Sequence, residues 1–103
     1  MKKLQEQVKK FEKKYGLISP PEHRMLDLVS EVGEVAKEVL KMTDYGRKPE
    51  KYREEIELEL GDVLYSLASV ANYYKVDLED TLKRTLVKYE KRLKKGSAGS
   101  END

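Results

Sequence analysis

Cysteine is absent from this 103-residue sequence, and histidine occurs once, at His23. The missing cysteine excludes disulfides, thiolate chemistry and cysteine-ligated zinc or iron–sulfur sites. The single histidine excludes a metal centre built from several histidines. A metal site in this protein must therefore use oxygen ligands.

Long apolar runs and a large net charge are also missing. The N-terminal stretch MKKLQEQVKKFEKKYG is basic but lacks the apolar run of a signal peptide, and no segment approaches the length of a membrane span. The 21 basic and 20 acidic side chains nearly cancel, so no overall field favours nucleic acid. These absences predict a cytoplasmic protein whose partners include neither a membrane nor a nucleic acid.

Helical periodicity is present where strand signals are absent, because the apolar residues never alternate for long and glycine hairpin turns are missing. Apolar spacings of three and four residues predict four helices. They run to residue 15, from about 22 to 43, from about 50 to 74, and from 78 to 93. Proline and glycine mark the connectors between them, and Asp77 is a good N-cap for the last helix.

The predicted fold class is all-α, most simply a four-helix bundle over residues 1–95, followed by a disordered polar tail, GSAGSEND, at residues 96–103. Apolar residues make up 38% of the sequence, so the core of one chain is thin. We therefore expect a homo-oligomer, a dimer or a tetramer, that shares apolar surface between subunits. The predicted buried face of the last helix comprises Leu78, Leu82, Leu86, Tyr89 and Leu93.

Two similar pentapeptides, EVGEV at residues 31–35 and ELGDV at residues 59–63, place acids beside the apolar stripe of a predicted helix. At about 100° per residue, the acids of each helix fall within a sector of roughly 60°. These acids are Asp27, Glu31, Glu34 and Glu38 on the second helix, and Glu55, Glu59 and Asp62 on the third. Gly33 and Gly61, which cost about 1 kcal/mol each in a helix, are predicted to let a neighbouring helix approach closely.

Two interpretations of these acids are open. Acids on a solvated helix face are common, but such a face usually carries lysine four residues away, whereas here the matching positions carry more acids. Carboxylates that converge would repel one another unless a cation lay among them. Oxygen ligands select a hard cation such as Mg²⁺, with Mn²⁺ as a substitute, so the pattern favours a metal site.

The pair Glu31-Val32-Gly33-Glu34 and Glu59-Leu60-Gly61-Asp62 resembles the E-E-x-x-E … E-x-x-D signature of the MazG-like, all-α nucleoside triphosphate pyrophosphohydrolases. This superfamily includes dimeric dUTPases, dCTP pyrophosphatases and phosphoribosyl-ATP pyrophosphohydrolase, and the likeness covers roughly residues 3–93. The resemblance implies Mg²⁺-dependent hydrolysis of a nucleoside triphosphate to the monophosphate and pyrophosphate, in sanitation of the nucleotide pool. The implied Mg²⁺ ligands are Glu31, Glu34, Glu59 and Asp62. Glu34 and Glu38 are candidates for the base that takes the proton of the attacking water.

Two positions depart from the family pattern. Ser30 replaces the first acid of the E-E pair, and Tyr89 replaces a common asparagine in KYEKR, residues 88–92, which resembles a K-N-E-x-R pattern. Lys88 and Arg92 match that pattern and are predicted to contact phosphate, although a solvated basic face is the alternative.

Two further residues are predicted to contact the substrate. Tyr73 is a candidate for stacking on the base, and packing in a core or interface is the alternative. Ser66, one turn beyond Asp62, is small and is predicted to leave room for the nucleotide.

A second functional hypothesis is a non-catalytic oligomerisation or regulatory module that retains the scaffold. Ser30 and Tyr89 favour it. Retention of four mutually repelling acids opposes it, because a decayed site has no reason to keep them. A di-iron bundle is excluded because the Glu-x-x-His motif is missing.

Overall fold

The computed structural model describes residues 2–96, which form four α-helices and no strand. The helices are α1 (Lys2–Tyr15), α2 (Pro21–Met42), α3 (Ile56–Tyr73) and α4 (Leu78–Lys94). The all-α prediction is confirmed. Within residues 2–96, no helix has the length and apolar character needed to cross a membrane. The predicted tail falls almost wholly on residues 97–103, outside the described part of the chain.

Three residues mark the helix boundaries as their chemistry predicts. Gly16 follows α1 with φ +64°, a left-handed conformation that favours glycine. Pro21 occupies the first position of α2, where its missing N–H costs no hydrogen bond. Asp77 caps α4, because its Oδ1 accepts from the backbone N–H of Glu79 at 2.9 Å and of Asp80 at 3.3 Å.

The third helix begins later than its apolar pattern predicts, at Ile56 instead of near residue 50. The intervening chain folds back on the end of α2, where the Lys51 N–H donates to the Met42 carbonyl oxygen at 2.7 Å. The Arg53 Nε donates to Glu38 Oε1 of α2 at 2.8 Å. These contacts hold residues 50–55 outside the helix, so Glu55 precedes α3 and is not one of its helical acids.

Helix α3 is central, since it packs against both α2 and α1. Among the described residues, the buried apolar side chains are only Met42, Ala68 and Ala71. The predicted buried face of α4 is wrong for the single chain, because no residue of α4 is buried. Four of its five members are exposed by 42–63%: Leu82, Leu86, Tyr89 and Leu93.

Helix α1 lies against α3 through polar side chains. Gln5 is buried: its Nε2 donates to Asn72 Oδ1 and to the Val76 carbonyl oxygen, and its Oε1 accepts from the Leu78 N–H at 2.8 Å. Glu12, two turns further along α1, is also buried. The apolar stripe of α1 instead stays partly exposed, with Phe11 at 49%.

Candidate functional site

Three carboxylates from two helices meet where α2 packs against α3. Carboxylate oxygens of Glu31 on α2 and of Glu59 and Asp62 on α3 all lie within 4.8 Å of one another. Glu59 and Asp62 share a helix face because they are three residues apart. Glu31 and Glu59 are half-buried, and Asp62 is exposed. We call these three residues the acidic triad.

The electrostatics of the acidic triad are unfavourable. Burial raises the pKa of the Glu31 carboxyl, and the negative charges of Asp62, Glu59 and Glu34 raise it further. Burial also raises the pKa of Glu59, together with the charges of Asp62, Glu34 and Glu38. Each of these groups would be less strained with a proton or a cation beside it.

The two remaining predicted acids have different surroundings. Glu34 is exposed and lies outside the acidic triad, although its negative charge contributes to the raised pKa values of Glu31 and Glu59. Glu38 is buried and ion-paired, with Arg53 Nε at 2.8 Å and Lys41 Nζ at 3.7 Å. The hydrogen bond from Arg53 is the main cause that lowers the pKa of Glu38. Glu34 therefore has a carboxylate available, whereas that of Glu38 is already bound to two cations.

The donor set of the acidic triad fits a hard divalent cation. All three groups offer oxygen, the ligand that Mg²⁺ and Mn²⁺ prefer, and the three ligand atoms are close enough to reach one ion. Burial first, and then the negative charge concentrated in the triad, raise the pKa values of Glu31 and Glu59, and a bound cation would offset both effects.

An open cleft of about 300 Å³ adjoins the acidic triad. Its lining residues are Arg24, Asp27, Glu31, Asp62, Tyr65 and Ser66. Ser66, one of these residues, is buried. Lys88, Arg92 and Tyr73 are not among the residues that line it. Tyr73 borders a different cleft and packs edge-on against Tyr74, with ring centroids 5.0 Å apart.

Comparisons with known proteins identify the family of this chain. The family model of the MazG nucleotide pyrophosphohydrolase domain matches residues 19–97, which include the whole acidic triad. The chain belongs to the MazG family. The MazG chain is 37% identical over 99 residues to the "Uncharacterized protein YpjD" of Bacillus subtilis (strain 168), covering 91% of this chain and 86% of that protein.

A solved structure is similar to the MazG chain as well. It is the crystal structure of the "putative pyrophosphatase YPJD" of Bacillus subtilis, with a TM-score of 0.72 and 34% identity. The similarity covers 89% of this chain and 94% of that one. The four helices described here are therefore the helices of a MazG fold.

Sequence patterns do not reveal a buried ionic network beside the cleft of this MazG chain. Glu12 Oε2 on α1 accepts from Tyr65 OH at 3.0 Å and Ser69 Oγ at 2.8 Å, and lies 3.1 Å from Arg24 Nη2. The Arg24 guanidinium also lies over the Tyr65 ring, 5.3 Å from its centroid. The available signal was weak: Gln5 and Glu12 are two turns apart on α1, with Val8 between them on the same face.

The glycines of the two pentapeptides do not allow close helix contact within this chain. A Cβ built on Gly33 or Gly61 would meet no atom of a neighbouring helix within 4 Å. The prediction that they bring helices together is therefore wrong for the single chain. Both residues are exposed.

Proposed function

We propose that this MazG chain hydrolyses a nucleoside triphosphate to the monophosphate and pyrophosphate in a Mg²⁺-dependent reaction. The observation that carries the proposal is the acidic triad: three carboxylates from α2 and α3 within 4.8 Å, beside an open cleft. These charges destabilise the fold, because burial and then mutual repulsion raise the pKa of Glu31 and Glu59. A bound cation removes that cost.

Glu31, Glu59 and Asp62 are the residues that would hold Mg²⁺, and Glu34 is the fourth proposed ligand. Bound Mg²⁺, or Mn²⁺ in its place, supplies charge neutralisation for a polyphosphate and orients its oxygens. The half-buried Glu31 and Glu59 would fix the site from two helices, while the exposed Asp62 leaves one side open to the cleft.

The proposed reaction needs one base. A water oxygen attacks one phosphorus of the α–β anhydride, the anhydride P–O bond breaks, and the phosphate group on the other side leaves with the bonding electrons, which yields the monophosphate and pyrophosphate. A carboxylate then takes the proton that the water loses. We favour Glu34 over Glu38 for this role, because Glu38 is bound to Arg53 and Lys41, whereas one Glu34 oxygen can take the proton while the other binds Mg²⁺. Glu38 then acts by holding the loop before α3 against α2.

The proposed substrate contacts fall into two groups. Ser66 lies at the cleft, where its small side chain leaves room beside Asp62. Lys88, Arg92 and Tyr73 lie outside it, so their contribution requires that a second subunit carry them to the cleft. A homo-oligomer in the cytoplasm remains part of the prediction.

The test combines metal binding with catalysis. At low ionic strength, millimolar Mg²⁺ should raise the melting temperature of the wild type by mass action, and Glu59→Gln should abolish that rise. A screen of individual nucleoside triphosphates, standard and damaged, should find pyrophosphate release by the wild type and a loss of several orders of magnitude in Glu59→Gln. Glu50→Gln, a substitution of an exposed loop acid, is the matched control and should change neither result.

The outcome decides between the proposal and a non-catalytic module. A melting temperature that is the same with and without Mg²⁺, together with no pyrophosphate release from any nucleotide, would leave the helical oligomerisation or regulatory role as the better explanation.

A further inference from the structure

One cation lies among the described residues that line the acidic cleft, and it is Arg24. A triphosphate carries several negative charges, and the other charged side chains of this cleft are Asp27, Glu31 and Asp62. Carboxylates attract a metal ion but repel the phosphates that accompany it. A fixed positive charge on the cleft wall would offset that repulsion.

Contacts with Glu12, Leu17 and Tyr65 fix the position of the Arg24 guanidinium. Its Nη2 lies 3.1 Å from Glu12 Oε2 and donates to the Leu17 carbonyl oxygen, while the Tyr65 ring packs against its face. Glu12 is itself fixed by hydrogen bonds from Tyr65 and Ser69. The arginine side chain is 13% exposed, so little conformational freedom remains to be lost when a ligand binds.

The cleft-side contact of Arg24 is of a different kind. Its Nη1 lies 3.3 Å from Asp27 Oδ2, and the Asp27 side chain is 55% exposed. A pair between residues three apart whose carboxylate is exposed to solvent contributes little to stability, so its replacement by a phosphate oxygen costs little. The Nε of Arg24 is buried and has no hydrogen-bond partner among the described residues. Nη1 is therefore the guanidinium donor that a ligand in the cleft can take over.

We propose that Arg24 binds a phosphate group of the substrate, and that Asp27 occupies its Nη1 position until the phosphate replaces it. This inference rests on the proposed function. Arginine suits the role, because the Nη1 that Asp27 releases donates a charge-assisted hydrogen bond to phosphate while Nη2 stays bound to Glu12 and Leu17. Glu12 is a positioning residue: it orients the Arg24 guanidinium and does not contact the substrate.

A purely structural Arg24 predicts different behaviour. The contacts with Glu12, Leu17 and Tyr65 suffice to tie α1 and its connector to α3. On that reading, substitution of Arg24 lowers the melting temperature and leaves substrate affinity unchanged in the molecules that remain folded. Asp27 would then lower the affinity for the substrate only through its negative charge, as any acid near the cleft would.

The experiment is a double-substitution cycle on binding and on kinetics. The variants are Arg24→Lys, which keeps the charge but loses the guanidinium, Asp27→Asn, and the two combined. Each is titrated with α,β-imido analogues of the four deoxynucleoside triphosphates in Mg²⁺, and kcat and KM are measured on a nucleotide that the wild type cleaves. Asp44→Asn is the control, because Asp44 forms a comparable pair with Arg47, three residues away at 3.8 Å, outside the cleft lining.

Arg24→Lys should weaken analogue binding by about tenfold, the loss of one charge-assisted hydrogen bond, and should raise KM more than it lowers kcat. Asp27→Asn should tighten binding several-fold by releasing Nη1, and this gain should disappear in the double variant. Asp44→Asn should match the wild type.

Three results overturn the inference. If Arg24→Lys binds the analogues as tightly as the wild type does, Arg24 does not contact a phosphate. If the gain in affinity from Asp27→Asn persists in the double variant, it is a general effect of the lost negative charge. Phosphate then does not replace Asp27 at the Arg24 Nη1. A wild type that neither binds an analogue nor releases pyrophosphate overturns the proposed function as well, whereas an active wild type with an unchanged KM in Arg24→Lys overturns this inference alone.

Discussion

Glutamate has opposite electrostatic roles at neighbouring positions of this molecule. The pKa of Glu31 is raised by burial and by nearby carboxylates, whereas that of Glu38, two turns along the same helix, is lowered by Arg53. The side chains are identical, so the difference comes from what α3 and its preceding loop bring to each one. Glu31 faces Glu59 and Asp62, and Glu38 faces Arg53 and Lys41.

This contrast predicts opposite effects of two neutral substitutions in EDTA. A raised native pKa means that Glu31 destabilises the fold at neutral pH, and that this cost disappears as the pH falls through the raised value. A lowered native pKa means that Glu38 stabilises the fold above the ordinary glutamate pKa, and that this gain is lost as the pH falls through the lowered value. Glu31→Gln should therefore raise the melting temperature at pH 7, and Glu38→Gln should lower it.

Melting curves from pH 7 to pH 3 in EDTA test this contrast, and both differences from the wild type should shrink toward the acid end. Glu22→Gln, at an exposed position of α2, is the control. A lower melting temperature for Glu31→Gln at pH 7 would mean that the Glu31 carboxylate is held by a favourable contact instead of a repulsive cluster.

Local spacing was enough to predict some residues of the site and not others. Glu31, Glu59 and Asp62 follow from helix periodicity, because each set of acids lies on one face of a helix. The ion pairs of Arg24 with Glu12 and of Arg53 with Glu38 join residues 12 and 15 positions apart. No helical period connects the members of either pair, so only the tertiary fold reveals them.

Buried hydrogen bonds join α1 to α3, in addition to the edge-on contact of the Phe11 and Tyr65 rings. Gln5 joins α1 to the end of α3 and the start of α4, through Asn72, Val76 and Leu78. The Asn72 Nδ2 donates a hydrogen bond to the backbone carbonyl oxygen of Gln5 at 2.9 Å. A polar contact of this kind depends on complete pairing, because each buried group left without a partner costs about 1–3 kcal/mol.

Gln5→Leu should therefore destabilise the protein although leucine is the more apolar residue. It would leave the Leu78 N–H without its acceptor, and the Asn72 Oδ1 and the Val76 carbonyl oxygen without the Gln5 Nε2 donor. At about 4–8 °C per kcal/mol for a domain of this size, the melting temperature should fall by several degrees or more. Lys10→Gln, at an exposed position of α1, should leave it unchanged. A melting temperature of Gln5→Leu equal to that of the wild type would mean that solvent reaches these groups.

At the level of elements, the sequence predicted which helices exist better than where one of them starts. The apolar stripes of α2 and α3 depend on local periodicity, which the fold preserves. The start of α3 depends on Arg53 reaching back to Glu38 and on Lys51 bonding to Met42. These contacts remove residues 50–55 from a stretch whose composition would otherwise allow it to be helical.

The single chain is less compact than is usual for a chain of this length. Its Cα radius of gyration is 16.9 Å, compared with about 13 Å for a compact chain of about 100 residues. Large apolar side chains on two helices stay exposed, including Val29 of α2 at 66% and Leu86 of α4 at 55%. The thin core expected from composition is present, since few apolar side chains are buried in residues 2–96. A chain that buries so little apolar surface gains little free energy from folding alone.

The whole molecule is therefore predicted to assemble, as a dimer or as a dimer of dimers. Light scattering on a sizing column at micromolar concentration should give a mass of at least twice 12.0 kDa. Val29→Glu and Leu86→Glu should each shift the mass toward the monomer and lower the melting temperature, while Lys83→Gln, at an exposed position of α4, should do neither.

Assembly should also matter for catalysis, because Lys88 and Arg92 of α4 do not line the cleft of their own chain. If a second subunit supplies them, the monomeric Leu86→Glu variant should keep the Mg²⁺-dependent rise in melting temperature, since the acidic triad belongs to one chain. The same variant should lose most of its pyrophosphate release. A wild type that remains monomeric and fully active at micromolar concentration would contradict the assembly prediction, and the phosphates would then be bound by residues of one chain alone.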